Sequence, residues 1–146
     1  MKTRFEQIPP TEEELAIIRS YALTDEVLRI MQLLDDAEGT VVLHGLKNEA
    51  TRFLCSEILY IESVDGRTFV YEQDRVTEVR HKLYELEALL RGQGFFRASK
   101  AFIVNYRAIW RVTPELSGRF QATMRNGEVV MVSRSYVPAM KEIFGL

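Results

Sequence analysis

The chain has 146 residues, the size of one ordinary domain or of one domain with a small appendage. Apolar residues make up 47% and charged residues 27%, values that argue against global disorder. No apolar run approaches the roughly 18 residues of a membrane-spanning helix, and the first residues carry no secretory signal, so we expect a cytoplasmic protein. One cysteine, Cys55, and two histidines exclude an intramolecular disulfide and a multi-cysteine zinc site. We therefore expect no metal and no other cofactor.

The net charge of −2 hides a strong asymmetry along the chain. Residues 1–94 contain 11 basic and 18 acidic side chains, a net charge of −7, whereas residues 95–146 contain 8 basic and 3 acidic side chains, a net charge of +5. Such a difference suggests that the C-terminal part meets a polyanion such as nucleic acid. The alternative is that folding mixes the two charge types in space.

The first 39 residues are predicted to form two strands and a helix. Apolar residues predict short strands at 3–8 and 15–21, the first of them ended by a Pro-Pro pair. Thr24 is a candidate helix cap, followed by two acidic residues and an apolar stripe at helical spacing that ends near Glu38 and Gly39. An apolar stripe without a core of its own needs a surface to cover. We expect residues 1–39 to serve in dimerisation or partner docking, with packing against the rest of the chain as the alternative.

From residue 40 the pattern changes to mainly β with one long amphipathic helix. Two turn signals, Asp65-Gly66 and Asn126-Gly127, predict hairpins. Valines and leucines at helical spacing predict a helix over 75–91 that ends at Gly92. The predicted strands are 40–44, 58–63, 68–71, 102–105, 109–112, 120–124 and 128–133, and a short terminal helix opens near 136.

Three ordered segments carry a resemblance to a known family. They are Ile58-Leu59-Tyr60-Ile61-Glu62-Ser63, then Gly94-Phe95-Phe96-Arg97-Ala98-Ser99-Lys100-Ala101-Phe102-Ile103-Val104-Asn105, and finally Val132-Ser133-Arg134-Ser135-Tyr136-Val137. With these segments, residues 41–146 resemble the LytTR DNA-binding domain of bacterial transcription regulators. Three matches in order over about 80 residues are far more specific than one short motif.

The resemblance implies a mainly β fold of the α+β type, an elongated β-sandwich with one amphipathic helix that reads double-stranded DNA through loop residues. We therefore divide the chain into an N-terminal segment, 1–39, and a LytTR-type DNA-binding domain, 40–146. Most family members follow a receiver domain of roughly 120 residues, which 39 residues cannot hold. The chain thus resembles the stand-alone type. We expect no switching by aspartyl phosphorylation at Asp35 or Asp36, and control by abundance or by sequestration on a membrane-protein partner.

The family's polar contact residues fall at or next to Ser99 and Lys100, where a hydroxyl and an ammonium suit phosphate oxygens or a guanine edge. Arg97 is either a third DNA contact or a structural arginine packed under the loop. Asn105 closes the following strand and is expected to hydrogen-bond the turn after it.

The last matching segment places Arg134 and Ser135 in a loop before the terminal helix. An arginine there can pair with guanine in a bidentate fork or clamp a phosphate, and the alternative is a surface residue at the helix entry. Many family members carry a second basic residue where this chain has Ser135, so one contact is expected to be weaker or lost. Arg67 follows the Asp65-Gly66 turn near a third DNA-contacting loop.

No catalytic constellation or phosphate-binding glycine loop is present, so we do not expect an enzyme. The sequence predicts a sequence-specific DNA-binding regulator that acts as a homodimer. The alternative is a protein-interaction or anti-regulator module that kept the fold without DNA affinity.

Overall fold

The computed structural model describes the backbone of all 146 residues and every side chain except those of Gln32 and of residues 35–38. The predicted absence of a phosphoacceptor at Asp35 and Asp36 therefore lies outside the described side chains. The chain forms two compact units, Met1–Asp35 and Asp36–Leu146.

The first 39 residues form the predicted helix but neither predicted strand. Helix α1 spans Asp25–Gly39, and the Val27 amide donates a hydrogen bond of 3.3 Å to the Thr24 hydroxyl, which confirms Thr24 as its cap. The strands predicted at 3–8 and 15–21 are wrong, because neither segment pairs with any strand. Most of their apolar side chains, including Phe5, Leu15 and Ile17, stay exposed, and an isolated strand has no hydrogen-bond partner to stabilise it.

The second unit contains ten strands and two further helices. In chain order they are β1 (Thr40–His44), β2 (Ala50–Leu54), β3 (Ile58–Val64), β4 (Arg67–Glu72), β5 (Val76–Val79), α2 (Leu83–Leu89), β6 (Phe95–Arg97), β7 (Phe102–Asn105), β8 (Ile109–Pro114), β9 (Phe120–Met124), β10 (Val129–Val132) and α3 (Val137–Phe144).

All pairings between these strands are antiparallel and form three sheets. A central five-stranded sheet has the order β5-β4-β3-β7-β6, a second sheet has the order β10-β9-β8, and β1 pairs with β2 as a two-stranded ribbon. The mainly β, α+β fold expected from the sequence is confirmed.

The two faces of the central sheet bury two separate apolar cores. Successive residues of a strand point to opposite faces, so Tyr60 and Ile61 enter different cores. The first core also contains residues of β9, β10 and α3, including Met124 and Met140. The second contains residues of the ribbon and of α2, such as Phe53 and Leu86. The central sheet therefore packs against both cores, and this packing fixes the positions of its loops.

The helix predicted over 75–91 is wrong in nearly its first half, residues 75–82. Residues 76–79 form β5, which pairs with β4, and α2 begins only at Leu83. Val76 and Val79 are three residues apart, which fits one face of a helix, but in the strand they point to opposite faces and only Val79 is buried. Pairing with β4 decides for the strand. Strands β2 and β6 were not predicted at all, since each buries a single side chain, Phe53 or Phe96.

Asn105 has the structural role expected of it. Its side chain is 1% exposed, its Nδ2 donates to the carbonyls of Ile58 (2.8 Å) and Cys55 (3.3 Å), and its Oδ1 accepts the Arg107 amide (3.1 Å). All its hydrogen-bonding groups are thus used inside the fold. Cys55 is buried, as is typical of a free cysteine, and burial raises the pKa of its thiol.

Candidate nucleic-acid interface

Main-chain hydrogen bonds join the three loops singled out from the sequence. The Ser63 amide at the end of β3 donates to the Ala101 carbonyl in the β6–β7 loop at 2.8 Å. The Ser133 amide after β10 donates to the Ala98 carbonyl in the same loop, also at 2.8 Å. The β6–β7 loop therefore lies between the other two, and all three are at one end of the central sheet.

The β6–β7 loop, residues 98–101, presents Ser99 and Lys100 differently. The Ser99 hydroxyl accepts the Ala101 amide at 3.2 Å, so it helps to shape the loop. Lys100 is exposed, and its ammonium makes no hydrogen bond or ion pair with any described side chain or main-chain group. Its charge is thus available to an external anion.

Arg97 lies beneath this loop and is only 18% exposed in its side chain. Its Nε donates to the Ser99 carbonyl at 3.0 Å and its Nη2 to the Lys100 carbonyl at 2.8 Å, while Nη1 reaches the Glu87 carboxylate of α2 at 2.9 Å. The guanidinium therefore bridges the helix and the loop main chain, as in the structural alternative considered for this residue.

Arg67 follows a tight turn in which Asp65 (φ 51°) and Gly66 (φ 78°) both have positive φ, the pattern of a type I′ hairpin. Its side chain is 63% exposed and pairs with Glu78 of β5, with Nη2 3.2 Å from Oε2. The hydrogen bond from Arg67 lowers the pKa of the Glu78 carboxyl. Arg67 thus reaches the loop end of the sheet with its charge already paired.

Arg134 and Ser135 form a 3-10 turn with Tyr136 that leads into α3. Both are exposed, and neither side chain makes a hydrogen bond or ion pair within the part of the chain whose side chains are described. Arg134 is consequently a second unpaired cation at the loop end of the sheet.

The structure adds one neighbour that the sequence did not indicate. The loop between β8 and β9, residues 115–119, contacts the stem of Arg134 through Gly118. The only sequence signal was a glycine between two strands, which is typical of any hairpin.

Among the described side chains, no group of three or more His, Cys, Asp and Glu residues is arranged to hold a metal ion. Within the same part of the chain, no helix combines the length and apolar character needed to cross a bilayer.

Comparison with known proteins identifies relatives of this domain. The family model of the LytTr DNA-binding domain matches residues 48–145. The chain is 33% identical over 121 residues to the sensory transduction protein LytT of Bacillus anthracis, covering 80% of this chain and 49% of that protein. It is 32% identical over 91 residues to LytT of Enterococcus faecalis, covering 62% of this chain and 38% of that protein. The chain thus spans half or less of the length of these LytT proteins.

Two other matches cover most of the compared protein. An uncharacterized HTH-type transcriptional regulator of Staphylococcus aureus is 24% identical over 126 residues, which is 86% of this chain and 85% of that protein. The solved LytTr DNA-binding domain of a putative methyl-accepting/DNA response regulator from Bacillus cereus superimposes with a TM-score of 0.65 at 30% identity, covering 74% of this chain and 98% of that chain. The resemblance drawn from the three sequence segments is confirmed, and the chain belongs to the LytTR DNA-binding domain family.

Proposed function

We propose that this protein binds a specific double-stranded DNA sequence through Arg67, Ser99, Lys100, Arg134 and Ser135, and thereby regulates transcription. The observation that carries the proposal is the pair of main-chain hydrogen bonds from Ser63 and Ser133 into the β6–β7 loop. They hold three polar loops side by side at one end of the sheet, where a duplex can meet all of them.

The spacing of the loops suits a DNA groove. Neighbouring strands lie about 5 Å apart, so the β3–β4 turn and the β6–β7 loop are separated by about 10 Å. This distance is close to the width of the major groove, about 12 Å. Side chains from adjacent loops therefore reach one groove and its flanking phosphates together.

The two unpaired cations have different chemistry. The Lys100 ammonium is a compact point charge suited to a phosphate, whose neutralisation releases counterions and makes binding salt-dependent. The Arg134 guanidinium has a planar fork that matches the two acceptors of guanine. We assign phosphate affinity chiefly to Lys100 and sequence preference chiefly to Arg134, with Ser135 beside it as a weaker polar contact.

Arg97 and Arg67 contribute less directly in this proposal. Because the Arg97 guanidinium already holds two loop carbonyls, we assign it to positioning Ser99 and Lys100 rather than to DNA. Arg67 reaches a phosphate only by sharing or leaving Glu78, so its contribution is the smallest of the three loop cations.

Oligomerisation and control form a second part of the proposal. Helix α1 exposes an apolar stripe of Leu28, Met31 and Leu34, which supports a homodimer formed through residues 1–39, or docking to a membrane-protein partner that sequesters the regulator in the cytoplasm. By light scattering, the parent should have the molar mass of a dimer and the variant with Leu28→Ser and Met31→Ser that of a monomer. A single-chain mass for the parent at all concentrations would exclude the homodimer.

The test of DNA binding begins with selection of bound sequences from a random duplex pool. Lys100→Ala is expected to weaken binding to every duplex and to reduce the slope of log affinity against log salt by about 0.9. Arg134→Ala should in addition relax the preference for the selected sequence, since each base contact contributes about 1–3 kcal/mol of discrimination.

Arg91→Ala is the matched control, because Arg91 is exposed after α2 and outside the three loops. No enrichment in the selection, together with no binding to random duplex even at low salt, would instead support an interaction module without DNA affinity.

A further inference from the structure

The β8–β9 loop supports the side chain of Arg134. Gly118 has φ +84°, and a Cβ built on it would lie 3.1 Å from Cδ and 3.3 Å from Cγ of Arg134. These distances are shorter than ordinary van der Waals contacts between carbon atoms, which are about 3.5–4.0 Å. The aliphatic stem of Arg134 therefore lies in the space that a side chain at position 118 would enter, and a Cβ there requires the stem to shift by a few tenths of an ångström.

The loop is held in one conformation by its own hydrogen bonds. The Gly118 amide donates to the Glu115 carbonyl at 3.1 Å, and the Glu115 amide donates to the Arg119 carbonyl at 2.9 Å. The Gln121 amide nitrogen adds a bond of 2.6 Å to the Glu115 carboxylate. Binding through a loop that is already ordered costs little conformational entropy.

The tip of the loop carries an apolar side chain in full solvent exposure. Leu116 has a relative accessibility of 110%, whereas Arg119 beside it donates from Nε to the Ser117 hydroxyl at 3.1 Å. The tip is thus apolar next to one unpaired guanidinium, that of Arg134. Deoxyribose and the thymine methyl group are the apolar parts of DNA that a side chain in a groove contacts.

We propose that the β8–β9 loop is a fourth DNA-contacting loop, in which Gly118 directs Arg134 toward the duplex and Leu116 packs on a sugar or a thymine methyl. The inference rests on the proposed function and extends it. Gly118 is a positioning residue, because it acts through Arg134, and Leu116 is a contact residue.

The first experiment compares Gly118→Ala with Gly127→Ala. Gly127 has nearly the same φ, +88°, but a Cβ there meets nothing within 4 Å, so both variants carry the same backbone strain and only the first displaces Arg134. In anisotropy titrations with the selected duplex, Gly118→Ala should weaken binding about 10-fold and Gly127→Ala less than 2-fold, at similar losses of thermal stability. Equal affinities of the two variants would overturn the positioning role.

The second experiment combines Gly118→Ala with Arg134→Ala. If the glycine acts only through the arginine, the double variant should bind as Arg134→Ala does, within 2-fold. A further 10-fold loss in the double variant would show that Gly118 acts elsewhere and would overturn the inference.

The third experiment does not depend on a strained glycine. Leu116→Ser should weaken binding about 5-fold, whereas Leu89→Ser, at an exposed leucine of α2, should leave it unchanged. Equal effects of both substitutions would exclude the apolar contact. Full affinity of Lys100→Ala and Arg134→Ala would overturn the proposed function and this inference together, while loss in those two with none in the loop variants would overturn the inference alone.

Discussion

The Nη2 group of Arg97 donates a hydrogen bond of 2.8 Å to the main-chain carbonyl of Lys100, whose own side chain is exposed. The Arg97 guanidinium therefore holds the main chain from which the Lys100 side chain projects. The arrangement separates positioning from contact, since the hydrogen bond of Arg97 is to the main chain and places no demand on the residue type at position 100.

Arg97→Ala is expected to destabilise the fold by about 1–3 kcal/mol, the usual contribution of hydrogen bonds to a charged group. It should also speed amide exchange in residues 98–101 and lower DNA affinity. The slope of log affinity against log salt should stay unchanged, because no phosphate contact is lost. A slope reduced by about 0.9, equal to that of Lys100→Ala, would instead make Arg97 a direct phosphate contact.

Glu78→Gln is expected to raise DNA affinity, because it releases the Arg67 guanidinium and removes a negative charge near the loops. Glu72→Gln is the matched control, since it breaks a similar exposed pair, with Arg75, at the opposite end of β4. Titration at fixed salt should give tighter binding for the first variant and parental binding for the second. A Glu78→Gln variant with the same DNA affinity as the parent would contradict the assignment of Arg67 as a DNA contact.

Asn105→Ala should lower the free energy of unfolding by about 2–4 kcal/mol, because three hydrogen bonds of a buried side chain are lost together. Asn126→Ala removes a single turn bond, from the Glu128 amide, and should cost less than about 1 kcal/mol. Urea unfolding of both variants measures the difference. Equal midpoints would contradict the structural assignment of Asn105.

His81 makes the stability of the second unit depend on pH. Its Nε2 accepts the His44 amide at 3.1 Å, which requires the unprotonated ring, and burial lowers its pKa, with Arg80 and His44 acting in the same direction and Glu85 opposing them. The stabilisation is complete above the unfolded-state pKa of about 6.5 and is lost as the pH falls toward the lower folded-state value.

His81→Gln keeps an acceptor but does not titrate, so it isolates this contribution. Between pH 7.5 and pH 5.5 the parent should lose more free energy of unfolding than the variant. Losses of the same size in both proteins would show that other groups account for the acid sensitivity.

Local sequence patterns predicted most of the second unit but failed where pairing decides the structure. Val76 and Val79 fit a helical stripe, yet β4 supplies a partner strand that the local pattern does not contain. Residues 15–21 show the opposite case, a strand-like pattern for which the chain supplies no partner. In both, secondary structure followed long-range hydrogen bonding rather than local propensity.

The sequence located the loop segments of the candidate site but did not show which side chains contact each other there. The motif around Ser99 and Lys100 located the middle loop, but the pairing of Arg67 with Glu78 depends on the register between β4 and β5. Likewise, no sequence feature ties Gly118 to Arg134, sixteen positions later, because their contact arises from the packing of two loops.

The bonds that join the three loops run from the amides of Ser63 and Ser133 to the carbonyls of Ala101 and Ala98. Every residue except proline supplies both of these groups, so these hydrogen bonds do not depend on which side chains the loops carry. Residues 67, 100 and 134 can thus be substituted while the main-chain hydrogen bonds between the loops remain. If the proposed DNA contacts hold, a lineage can acquire a new operator by point substitution at these positions, and a library randomised at the same three codons is a direct route to retargeting the protein in the laboratory.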